Sequence, residues 1–167
     1  MKTRRTARWM AWLLVAAVGL SACTIHVDRN DDGSLRAESR MPEGSIQEEI
    51  ALALRDAQVK ELDVDLRQGY VQVTGVREMP VGGHTDTLRF NLTLGVADGH
   101  LTATIWEATF NDNPIAAERV AGWNERIARN LERRAGNHPN STLQSVSVTP
   151  DAVTMAWRIE TRYSRGE

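Results

Sequence analysis

A single cysteine, Cys23, stands in a chain of 167 residues, so no disulfide can form within it and a stable fold must rest on its core. Lysine is almost as scarce. Only Lys2 and Lys60 occur, and the chain as a whole carries a net charge of −2. No basic patch is present to recruit nucleic acid or anionic headgroups. The four histidines, at 26, 84, 100 and 138, stand singly, without the clustered spacing of zinc ligands. Gly-x-Ser-x-Gly, His-Glu-x-x-His, a phosphate-binding glycine loop and a dinucleotide fingerprint are all missing, so the expectation is a non-enzyme with no cofactor and no metal. The longest uncharged, mostly apolar run, "WMAWLLVAAVGL" at 9–20, would reach only about 18 Å as a helix, against a bilayer core of about 30 Å.

That run is nonetheless informative. It follows Lys2, Arg4, Arg5 and Arg8 with no acid among them, and it ends in small residues, which are the parts of a secretory signal. Leu20-Ser21-Ala22-Cys23 resembles the lipobox of bacterial lipoproteins. The resemblance implies cleavage before Cys23, with Leu20, Ser21 and Ala22 read by the signal peptidase and the Cys23 thiol diacylglycerylated. The expected organisation is a signal at 1–22 and one domain over 23–167, exported and held to the outer face of a cell membrane through Cys23. Without the four basic residues of the signal, 16 cations face 22 acids, and the mature domain is mildly acidic at about −6.

Hydrophobic period sets the expected elements. "TIHVD" and "SLRAES" alternate around Asp31-Asp32-Gly33-Ser34 and predict a hairpin with a half-buried first strand. Residues 42–57 read as a helix, with Ser45 and Glu48 as a capping box and Ile46, Ile50, Ala53, Leu54 and Ala57 on one face. Four alternating runs follow. The third and fourth are joined by Asp98-Gly99, a type I′ turn signal. A second helix is expected over 111–136, with Asn113 as its cap, Pro114 in its first turn and Gly136 as its stop. Two final strands meet at Pro150-Asp151. The order ββ-α-ββββ-α-ββ predicts an α+β fold: an antiparallel sheet of about eight strands against two amphipathic helices.

Three features invite chemistry. Asp28, Asn30 and Asp32 begin like an EF-hand loop, but Arg36 and Ser39 hold the ninth and twelfth positions, and strand-like flanks favour an acidic turn. The Glu-Arg pairs at 118–119, 125–126 and 132–133 read as a solvated helix face. Trp106, Ala108 and Phe110 lie on the opposite parity of their strand from Leu101, Ala103 and Ile105. They read either as a bulge or as the wall of an apolar groove between helix and sheet, with Phe90, Leu92, Ile105, Trp106, Phe110, Trp123 and Trp157 as candidate lining.

"VKELDVDLRQGYVQVTG", "LTLGVADGHLTATI" and "SVSVTPDAVTMAW" resemble a group of small exported bacterial proteins and, more distantly, the YpmS and LmeA type, some of which are regarded as lipid binders. The resemblance rests on apolar pattern and Asp-Gly turns and supplies no site residues. It implies a membrane-anchored domain that binds a lipid or other apolar ligand. A tethered module for an envelope protein partner, using a sheet edge or the loop 77–84, is the other expectation.

Overall fold

The computed structural model describes residues 23–78, 85–136 and 139–160. The expected signal, including Leu20, Ser21 and Ala22, lies outside them, as does most of the loop 77–84. In chain order the elements are strands Thr24–Arg29 (β1) and Leu35–Met41 (β2), helix Glu43–Ala53 (α1) with a short 3-10 turn at Arg55–Ala57, and strands Glu61–Arg67 (β3), Tyr70–Glu78 (β4), Thr85–Ala97 (β5), His100–Phe110 (β6) and Asn113–Pro114 (β7). Helix Ala117–Arg134 (α2) and strands Ser141–Thr149 (β8) and Ala152–Ile159 (β9) complete the series. The fold is α+β, and the paired strands are antiparallel.

The strands divide between two sheets, ordered β1-β2-β9-β8 and β3-β4-β5-β6-β7, where the alternating pattern alone suggested one. Helix α1 separates the first hairpin from the next four strands. The last strand then returns to pair with β2, placing Ala37 opposite Trp157 and Ser39 opposite Met155. Strand β8 ties the sheets together. The Leu143 N–H donates to the Gly99 carbonyl at 2.9 Å, and the Gly69 N–H donates to the Val148 carbonyl at 3.0 Å, so the β3–β4 and β5–β6 tips of the five-stranded sheet rest on β8. Asp98 and Gly99 both have positive φ, 52° and 76°, as their turn requires.

The expected face of α1 is buried in full: Ile46, Ile50, Ala53, Leu54 and Ala57. Its start differs from the capping-box expectation. The helix begins at Glu43 behind Pro42 with no side-chain cap, and Ser45 is a buried residue inside the first turn. Helix α2 starts later than expected, because Asn113 and Pro114 pair with Phe110 and Thr109 as a short edge strand. Proline suits an edge, since it has no N–H to give a further neighbour. Ala116 is the residue before the helix, and Gly136, with φ of 93°, follows its end as expected. The buried stripe of α2 runs through Trp123, Ile127, Ala128 and Leu131, while Ala117 and Ala121 are exposed. Trp123, Leu88, Leu92, Ile127 and Leu131 are all fully buried, each apolar side chain of this kind stabilising the fold by about 1.5–3 kcal/mol.

Candidate functional site

The acidic stretch resolves into a turn. Asp32 Oδ1 accepts from the Ser34 N–H at 3.0 Å and from Ser34 Oγ at 2.6 Å, while Oδ2 meets Arg158 at 2.7 Å. These bonds satisfy the carboxylate within the fold. They hold its pKa down to about 2, chiefly through the Ser34 hydroxyl, then the Ser34 N–H and Arg158. Among the described residues, no group of three His, Cys, Asp or Glu side chains converges as metal ligands would.

The Glu-Arg pairs depart from the solvated-face expectation at two places. Glu132 is buried and lies 3.0 Å from His100 Nδ1, although the histidine itself is exposed. Arg126 reaches across to α1, donating to the Ala53 carbonyl at 2.8 Å and pairing with Asp56 at 2.7 Å. The Trp123 indole N–H also points to the Asp56 carboxylate, at 3.3 Å. One acid thus serves both a core tryptophan and a bridging arginine between the helices.

The seven candidate groove residues do not form one groove. Phe90, Leu92, Ile105 and Trp123 are packed together in the core, with the Phe90 and Trp123 ring centroids 6.3 Å apart. A β-bulge explains Phe110. The β5–β6 register slips by one residue between Arg89 and Asn91, and Glu107 takes φ of 54° on the bulged strand. Phe110 therefore pairs opposite buried Leu88 and joins the core side, its ring lying 5.0 Å from the Arg77 guanidinium carbon. Trp106 precedes the slip and stays on the other face, tilted against Tyr70 at 5.9 Å. Trp157 belongs to the other sheet. The apolar parity signal marked a bulge, and these residues line no common groove.

Two other concavities are better formed. One, of about 370 Å³, lies open between α1 and β3 and is lined by Leu54, Val59, Leu62 and Lys60 among others. The second is small, about 60 Å³, and lies on the helix side of the four-stranded sheet where α2 ends. Ile25, Val27, Ser39, Trp157, Ile159 and Ala135 are among its walls. Strand β1 was expected to be half-buried, yet every residue of it is exposed, Ile25 at 58% and Val27 at 52%. Its apolar side does point inward, because Ile25 pairs opposite Ser39 and Val27 opposite Ala37, both buried. The helix stops short of covering it.

Cys23 precedes this strand on the same parity as Ile25 and Val27. Its side chain is partly buried against the core, near the Arg134 guanidinium in the last turn of α2. Cys23, with the nearby charges of Glu48 and Glu49, pushes the Arg134 pKa up against the opposing effect of burial. Ser39 and Trp157, which line the same small cavity, carry buried polar atoms, Oγ and Nε1, that make no hydrogen bond. Sequence reasoning did not find this shelf, since β1 alternates like any half-buried strand and only the length of α2 leaves it uncovered.

No helix among the described residues is long and apolar enough to cross a membrane. No family model, curated protein or solved structure matches the chain.

Proposed function

We propose that this chain is a lipid-anchored, non-enzymatic module of the bacterial cell envelope that lies against the membrane and acts by surface contact. One observation carries the reading. Among the described residues the first strand begins at Thr24, directly after Cys23, and carries exposed Ile25 and Val27. With no spacer between acylated residue and first strand, the domain stays at the membrane surface. The filled interior supports contact with an envelope partner over enclosure of an apolar ligand, because the aromatic and aliphatic residues that would line an internal site are packed against one another.

A second reading has its own observation. The open groove of about 370 Å³ between α1 and β3 has a partly apolar lining and could seat a lipid tail.

Intact mass and detergent-phase partitioning of wild type and Cys23→Ala test the anchor. Wild type should carry acyl mass and enter the detergent phase, and Cys23→Ala should do neither. Identical behaviour of the two would remove the basis of the proposal. Native mass spectrometry of the acylated chain separates the two readings, since a second, non-covalent lipid in stoichiometric amount would favour the groove.

A further inference from the structure

The small cavity beside β1 combines features that point to one kind of occupant. Its walls are largely apolar, from Ile25, Val27, Ala37 and Ile159. Two of its lining residues, Trp157 and Ser39, only 3% and 1% exposed, carry an indole N–H and a hydroxyl that make no hydrogen bond. A buried donor without an acceptor costs about 1–3 kcal/mol, so such a pair is poorly explained by packing alone. Trp157 can only donate, and Ser39 can donate as well, so the missing group is an acceptor. At about 60 Å³ the cavity falls well below the roughly 300 Å³ of a small-molecule pocket. That is too little for an acyl chain but enough for a carbonyl group and its neighbouring atoms.

Cys23 supplies the direction. It stands two residues before Ile25, partly buried against the core, and near Arg134, which directly precedes Ala135 and Gly136 of the cavity wall. We propose that the cavity and the apolar side of β1 form a seat for the root of the chain's own Cys23-linked lipid. An ester carbonyl accepts from Trp157 Nε1–H and Ser39 Oγ–H, and the first methylenes lie over Ile25 and Val27. This rests on the anchor reading above. The seat orients the domain: the lipid leaves along the exposed side of β1, which turns that edge toward the membrane.

The test uses the acylated full chain in detergent micelles, with tryptophan indoles labelled by nitrogen-15 and the Trp157 signal assigned through Trp157→Phe. Lipase removal of the ester-linked chains, followed by intact mass, should shift the Trp157 indole N–H resonance and leave those of Trp106 and Trp123 in place. Ile25→Asp with Val27→Asp, both at exposed positions, should leave the acyl mass intact and speed lipase release about tenfold, equivalent to about 1.4 kcal/mol of lost protection. A Trp157 resonance unmoved by ester loss would overturn the seat while the anchor stands, and would assign the cavity to bridging water. Absence of acyl mass on Cys23 would overturn the anchor and the seat together.

Discussion

Replacing Gly99 with alanine should destabilise the protein by more than its turn position alone requires. Gly99 has φ of 76°, and a Cβ there would lie 2.6 Å from Thr142 Cγ2 on β8. Gly69 is the control, with φ of 88° and nothing within 4 Å of its Cβ position. Left-handed backbone at an alanine costs about 1–2 kcal/mol, and both substitutions incur it. Only Gly99→Ala must also displace a methyl from a separation well inside the usual carbon–carbon contact of about 3.5–4.0 Å. Thr142 is β-branched, so moving its methyl off-rotamer adds about 0.5–1.5 kcal/mol. Further loss follows if the Leu143 N–H bond to the Gly99 carbonyl lengthens. The expected totals are about 2–3 kcal/mol for Gly99→Ala and about 1–2 kcal/mol for Gly69→Ala. Urea denaturation read by tryptophan fluorescence suits the comparison, because Trp123 and Trp157 are both buried. Thr142→Ser removes the methyl at an exposed position, so Gly99→Ala with Thr142→Ser should fall back to the Gly69→Ala value. If Gly99→Ala costs no more than Gly69→Ala, or if Thr142→Ser rescues nothing, the docking of this hairpin tip on β8 is misplaced.

Two further outcomes are expected. Asp32 has its pKa lowered from 3.8 to about 2, so its ionised form favours the fold above the ordinary carboxylate range, and that contribution is lost as pH falls through about 2. Acid unfolding of Asp32→Asn should therefore show a flatter stability profile between those values than wild type, and superimposable profiles would contradict the turn. Arg126→Met should cost about 1 kcal/mol in urea denaturation through loss of its bond to the Ala53 carbonyl, whereas Arg119→Met, at an exposed position, should lie within about 0.5 kcal/mol of wild type. Equal effects would place Arg126 outside the helix interface.

Much of the local structure was legible in the residue order, because each signal acts within a few residues of itself. The alternation of Leu88, Phe90 and Leu92 and the face of Ile46, Ile50 and Ala53 follow from strand and helix periods. Asp98-Gly99 marked its own turn, and the pattern of Asp28 to Ser39 already failed as a calcium loop. The misreadings arose where a neighbour distant in sequence decides. Pro114 suits a helix start by itself, but β6 offers it an edge. Glu132 looks solvated in the Glu-Arg repeat, but His100 stands beside it. The apolar parity of Phe110 is a bulge because β6 carries one residue more than β5 across the slip.

The candidate site divides the same way. The Leu-Ser-Ala-Cys motif and the alternating strand after it are properties of consecutive residues, so the expectation of an anchor and an immediately following strand needs only the sequence. Only tertiary structure places Cys23 beside Arg134, returns β9 to β2 so that Trp157 stands by Ser39, and ends α2 before it covers Ile25 and Val27. Those pairings join residues more than a hundred positions apart. Several registers would satisfy the same alternation, and the observed one is selected by how helices and sheets together bury the core.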